Sequence, residues 1–285
     1  MPTARRVPLP AVGSNNPGSH AGLILARYLA DASTDAGSSD AAPSSREQSR
    51  KDLLAAAQKA TADAGLKSVY ELAYARWQAL VEALKASAHA RTQRFRSAGR
   101  LILGLGGENV SETGLTLHQT YGVPYLPGSA LKGLAAHYVH TVWGGGEGPD
   151  AAQWTLDGAC HRTLFGTLDE GGLGGLVDFH DGWITPSSLG NCLALDVMTP
   201  HHTDYYMSDE SQVIEPTDFD SPVPVSFLSV QGAFDVAVSA RDPRLPAEWV
   251  ARAMDAVTAA LRDWGIGGKT SSGYGRMTSD SKAKS

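Results

Sequence analysis

Residues 246–277 read PAEWVARAMDAVTAALRDWGIGGKTSSGYGRM. Three signals follow one another in this stretch. Val250, Met254, Val257, Leu261 and Trp264 fall at helical intervals and form one apolar face, with Glu248, Arg252, Asp255 and Arg262 mostly elsewhere. Gly265 stops that helix. Glycines at 265, 267, 268, 273 and 275 then form a bend, and a short strand containing Tyr274 to Met277 follows. A helix returning through a tight bend into a last strand reads as the end of an α+β unit.

The chain upstream supplies the front of that unit. FRSAGRLILGLG (95–106) reads as a strand running into a glycine-rich turn, and YLPGSALKGLAAHYVHTVW (125–143) as a helix with Ser129 as its N-cap. LVDFHDGWI (176–184) and CLALDVMTP (192–200) read as strands. VPVSFLSV (223–230) and AFDVAVSA (233–240) flank Gln231–Gly232 and predict a hairpin, with Val225, Phe227, Phe234 and Val236 turned inward. The order β, α, several β, α, β predicts an α+β, ferredoxin-like domain over 96–285, with an insertion between its central strands.

Ahead of it, residues 1–20 read as coil, 21–30 as a short helix and 31–50 as a mobile linker too polar to offset its ordering entropy. Residues 51–95 form an N-terminal helical extension. Leu66, Val69, Ala73, Trp77, Leu80 and Leu84 are its expected packing face.

The 285 residues carry a net charge of −6, which excludes wrapping nucleic acid by bulk positive charge but not gripping a backbone at a few points. The charge is uneven. Residues 1–100 hold 14 Lys and Arg against 8 Asp and Glu, and the remainder holds 10 against 22. Segment 201–220 contains six acids and no Lys or Arg, so it suits a solvated loop or a contact to a basic partner better than a phosphate backbone. Cys160 and Cys192 are too few for a disulfide framework and suggest a reducing compartment. There is no long apolar run and no apolar stretch after MPTARR, so a cytoplasmic protein without membrane contact is expected.

Several site classes fall away on spacing. Gly104-Leu-Gly106-Gly107-Glu-Asn109 lacks the last glycine of a dinucleotide fingerprint and opens no helix. Gly268-Lys269-Thr270 ends like a phosphate-binding loop of an NTPase, but Asp263 stands where its first glycine belongs, and the segment runs helix to strand. His201-His202-x-Asp204 and the Cys160, His161, His180 and Cys192 set lack metal-ligand spacing, so no metal or cofactor is expected. Neither a nucleophile elbow nor the RNP1 pattern is present. His118, in GLTLHQTYG, remains open between a structural residue, an RNA contact and a general base helped by Tyr121.

Two donor clusters remain. In the bend, glycines let backbone amides approach a ligand, Lys269 and Arg276 add charge, and Thr270 and Ser271 add hydroxyls; this suits an anionic backbone held by shape. The second cluster is the helix terminus at Pro127–Gly133, where Lys132 in the first turn adds a charge to the unpaired amides. If both lie side by side on one face, they form a track for a nucleic-acid strand.

The runs GLTLHQTYGVPYLPGSALKG (114–133), LALDVMTPHHTDYY (193–206), PVPVSFLSV (222–230) and GIGGKTSSGYGRM (265–277) together resemble the RAMP superfamily. Within it they are similar to the family of subunits that cap type III-B CRISPR Cmr effector complexes at the guide 3′ part. NPGSHAGLILARYL (16–29) is a weaker match to the start of that family. The resemblance implies a ferredoxin-like fold and a non-catalytic, RNA-binding role in antiviral defence. It implies contact with crRNA, with paired target RNA and with other Cmr-type RAMP and small subunits. Ser129 and Lys132 would hold the guide backbone at the helix terminus. Gly267, Gly268, Lys269, Thr270 and Ser271 would hold it in the bend, with Arg276 and His118 as further contacts. The insertion at 200–222 would be a thumb that docks a neighbour. The alternative is a guide-processing endoribonuclease of the same superfamily, using His118.

Overall fold

The computed structural model describes residues 20–27, 43–87, 89–105, 114–167, 172–199 and 224–280. The expected thumb at 200–222, the acidic stretch 201–220 within it, all of the expected coil at 1–20 but His20, and Gly106–Asn109 lie outside the described residues.

The centre is a pair of antiparallel strands. β1 (Ala90–Ser97) pairs with β7 (Ala233–Ala240) from Ala90 opposite Ser239 to Arg96 opposite Ala233. The other edge of β1 pairs with β8 (Met277–Ser279). β3 (Val177–Phe179) and β4 (Gly182–Ile184) both pair antiparallel with β7, as one strand interrupted at His180–Asp181. β2 (Tyr125–Leu126) pairs with β4. Helix α4 (Gly128–Tyr138) and the short helix α5 (Ala159–Phe165) lie between β2 and β3 in the chain, and α6 (Ala247–Asp263) joins β7 to β8. The spatial order β4-β7-β1-β8, with a helix after the first and third strands in chain order, is the ferredoxin-like arrangement. α6 buries Val250, Met254, Val257 and Leu261 as expected, against a core that includes the fully buried Phe95 and Phe234.

The strand alternation sends successive side chains to opposite faces. Gln93 accepts from Thr258 of α6 at 3.2 Å on one face. The next residue, Arg94, reaches the other face, where Nε and Nη2 bind the two oxygens of Asp235 at 2.6 and 2.8 Å. That second face is covered by α3 (Ala64–Ala86), whose Tyr74 hydroxyl donates to the same carboxylate. Tyr70 of α3 donates to Ile184 O at 2.8 Å. This coverage explains why β7 is buried along both faces.

Several expectations need correction. The helical extension is two helices: α2 (Pro43–Thr61) ends before Asp63, whose carboxylate accepts from Leu66 N and caps α3. α2 begins at Pro43, so the expected linker at 31–50 includes its first turns. The helical stretch expected to reach residue 95 ends at Ala86, and β1 begins at Ala90. α3 packs with Tyr70, Ala73, Tyr74 and Val81, while Val69 and Leu80 are 57% and 59% exposed. The packing face is rotated from the aliphatic stripe because the tyrosines offer ring area and a hydroxyl that finds a buried acceptor.

The expected hairpin at Gln231–Gly232 does not form. β6 (Val225–Val230) pairs with β5 (Leu193–Met198) in a separate two-stranded sheet, and β7 belongs to the main sheet. Gly232, at φ 139°, passes the chain between the two; a Cβ there would stand 2.8 Å from Ser188 Cβ. The smaller sheet packs on α2, which also rests on the short helix α1 (Ala21–Arg27).

Replacing Asp235 by Ala leaves the Arg94 guanidinium and the Tyr74 hydroxyl without their acceptor. Arg94 keeps partial access to water, so the expected loss is about 2 kcal/mol rather than the larger cost of a fully buried charge. It is read as a lower urea midpoint at unchanged m, and a midpoint equal to wild type contradicts the role given to this carboxylate.

Candidate nucleic-acid interface

The glycine bend is built against the chain that leaves β1. Gly268 N donates to Ile102 O at 2.8 Å, Gly275 N to Arg100 O at 2.9 Å, and Ile266 N to Gly275 O at 2.9 Å. The approach is close enough that a Cβ on Gly267, at φ 92°, would collide with Ile102 O. Thr270–Ser272 then make one 3-10 turn. Lys269 opens that turn at φ 54°, the one positive-φ non-glycine residue among those described. A left-handed lysine costs about 1 kcal/mol or more, and such strain concentrates at functional positions.

The amide of Gly268 is therefore spent on Ile102, a correction to its expected role as a ligand donor. Among the described residues, the amides of Gly267, Lys269, Thr270 and Ser271 have no backbone acceptor. Lys269 and Ser271 are exposed, and no ion pair among the described residues involves Lys269 or Lys132. Arg276 is exposed but tethered: Nη1 donates to Arg262 O at 3.1 Å, at the C-terminal end of α6.

The helix terminus differs from expectation. Pro127, not Ser129, is the N-cap of α4, and Ser129 sits exposed within the first turn. Gly128 N donates to Asp181 Oδ1 at 2.7 Å, so a carboxylate of the protein already occupies part of this anion-favouring end. A Cβ on Gly128 would collide with Phe179 O, which holds the helix start against the interrupted strand.

Among the described residues no hydrogen bond or ion pair joins the two clusters directly. It is the last turn of α4 that meets the end of α6: Tyr138 donates to Asp263 at 2.8 Å, and the His137 and Trp264 rings lie 4.9 Å apart. Along the axis Gly128 lies about 15 Å from Tyr138 and Lys132 about 9 Å. Arg262 and then Tyr138 hold Asp263 down at about 2.

His118 lies in an aromatic nest. Its ring centroid is 4.8 Å from Tyr121, 5.5 Å from Trp183 and 5.9 Å from Tyr125. Nδ1 accepts from Thr120 N at 3.2 Å. Burial lowers its pKa, opposed by Asp181, so the imidazole is neutral near pH 7. The nest continues as Trp183 stacked on Tyr70 and on Trp77, at 5.7 and 5.8 Å.

Sequence reasoning missed a groove of about 460 Å³ where β1 leaves the sheet, lined by Arg96, Arg100, Ser187, Asn191, Gln231 and their neighbours. A second cleft of about 740 Å³ lies beside it along β1, between α3 and the sheet. The available signal was the run ARTQRFRSAGR (90–100), with arginines at 91, 94, 96 and 100. Among the described residues no group of three or more His, Cys, Asp or Glu side chains could hold a metal, and no helix is long and apolar enough to cross a membrane.

A ferredoxin-like sheet closed by a glycine bend between its second helix and last strand defines a class, and the comparisons agree with it. A model of the RAMP superfamily matches residues 94–278, and the chain belongs to that superfamily. It is 34% identical over 259 residues to the CRISPR system Cmr subunit Cmr6 of Pyrococcus furiosus, covering 74% of each chain. The crystal structure of Cmr6 from Pyrococcus furiosus matches at 32% identity and a TM-score of 0.43, covering 67% of this chain and 98% of that one. A chain of a type III-B Cmr-beta cryo-EM structure, bound to cognate target RNA, matches at TM-score 0.61 and 19% identity, covering 86% and 76%; that likeness is one of fold.

His118 and His161 are both held below the ordinary value of 6.5, chiefly by burial. The unfolded chain then binds more protons than the folded one as pH falls through 6.5 toward the lowered values, so stability is present above 6.5 and declines below it. The urea midpoint is expected to fall between pH 7 and 5, with a shallower decline in His118→Gln and in His161→Gln. An unchanged decline in both variants overturns the assignment.

Proposed function

We propose that the chain is an RNA-binding subunit of a type III-B CRISPR Cmr effector complex, holding the crRNA backbone near its 3′ part and capping the filament of RAMP subunits. The family relationship supports the assembly: a relative named as a Cmr subunit matches about three quarters of both chains. The observation that carries RNA contact is the bend, where the strained, exposed Lys269 and the unspent amides of Lys269, Thr270 and Ser271 form a small electropositive site on a net-negative body. That site holds phosphate by shape and charge, so binding is sequence-tolerant. On this reading Ser129 and Lys132 make a separate contact, weakened by Asp181, which already accepts from Gly128 N at the helix tip.

The role is non-catalytic on this reading. A general base needs an accessible nitrogen, and His118 has Nδ1 bonded to Thr120 while rings crowd it. Capture by the isolated subunit is weak because the body is anionic, and the assembly supplies the rest of the guide site.

In the assembled complex, Lys269→Glu is expected to reduce guide retention about tenfold and to lower the salt slope by about 1. Guide retention and slope equal to wild type would remove the bend from the RNA path.

A further inference from the structure

The two clefts along β1 meet at a single ion pair. Arg96 lines the smaller groove and Asp280 the larger cleft, and Arg96 Nη2 binds Asp280 Oδ2 at 3.3 Å. Both side chains are exposed, at 59% and 40%, so the pair is weak and exchangeable. The smaller groove also abuts the bend, since Ala98 N donates to Arg276 O and Gly275 N to Arg100 O. Bend, groove and cleft therefore follow one another along β1 and the chain that leaves it.

We propose that groove and cleft are one trough for a single-stranded segment of RNA that continues from the glycine bend, with Arg96 exchanging Asp280 for a phosphate. The inference rests on the RNA-binding reading and extends it to a second site. From Thr92 to Ser97 the trough follows about 17 Å of strand, and the bent segment Ala98–Arg100 carries it on to the glycine bend.

The chemistry differs along its length. The groove offers Arg96, the exposed amide side chain of Asn191 and the Ser187 hydroxyl, donors suited to phosphate oxygens. Arg100 is already engaged by Asp196 and steadies the wall. The cleft is different: Trp77 forms part of its wall, Gln78 and Thr92 supply hydrogen-bonding groups, and Asp280 and Glu82, the latter ion-paired with Lys85, are acceptors. Acceptors repel phosphate but receive the amino groups of bases, and an indole edge or face packs against any base. The backbone therefore lies in the groove and a base turns into the cleft. The indole stack of Trp77 on Trp183, both half-buried, fixes that wall.

The test uses the whole effector complex loaded with a guide carrying photoreactive uridines. Nucleotide crosslinks are expected on peptides containing Trp77 and Arg96 as well as on the bend. Arg96→Ala should weaken guide retention about fivefold and lower the salt slope by about 1, whereas Asp280→Asn, which frees Arg96, should strengthen retention. The opposite signs separate a charge effect from damage to the fold. Crosslinks confined to the bend, with both variants like wild type and Lys269→Glu still impaired, overturn the trough and leave the bend standing. If Lys269→Glu is also like wild type, the RNA-binding reading itself fails. Crosslinks from the trough to a neighbouring subunit, with none to RNA, reassign it as a protein dock and overturn the proposal.

Discussion

One carboxylate joins the three parts of this protein. Asp235 on β7 receives two bonds from Arg94 on β1 and one from Tyr74 on α3. It thereby ties the two central strands to each other and fastens the N-terminal helices to the second face of the sheet. Burial and then the Asp235 hydrogen bond raise the Tyr74 pKa, and the Asp235 hydrogen bond raises that of Arg94, so the phenol stays neutral and the guanidinium charged across the working range. A bidentate pair with an extra hydroxyl donor leaves few lone pairs unmet, the condition under which a largely buried charge is tolerated.

The position of β1 set by that knot decides the position of the bend. Ile102 and Arg100 accept from Gly268 and Gly275, so the glycine segment is moulded on the exit of β1 rather than free to choose its shape. The glycines serve two ends. Those at 267 and 275 permit close backbone approach, while the left-handed conformation at 269 places a charged residue where a glycine would be easier. Arg276 and Asp263 show the same economy of position: both are charged, yet one caps a helix end and the other anchors Tyr138. Charge near the bend is mostly consumed in holding it, and Lys269 is the exception among the described residues of the loop.

The helix tip illustrates how a local rule is overridden. Unpaired amides at Pro127–Gly133 favour an anion by any local argument, and the protein satisfies that preference itself with Asp181 from the break between β3 and β4. The break and the tip are 53 residues apart in the chain, so no local window contains both. The same holds for β6 and β7, which are adjacent in sequence and partners to different sheets.

Periodicity was enough to read α6, its apolar face, the glycine bend and the general succession of strands and helices, because each depends on residues within a turn or two of one another. The α+β class follows from that order, and the resemblance to the RAMP superfamily rests separately on the motif runs themselves. Partner choice was beyond it. Which face of α3 packs, whether Gln231–Gly232 closes a hairpin, and whether bend and helix tip converge all depend on contacts between distant segments. So does the trough: its arginines are plain in ARTQRFRSAGR, but Trp77, Asn191 and Asp280 come beside them only after the strands have paired. Short-range spacing encodes the elements, and long-range burial and charge pairing decide how their faces meet.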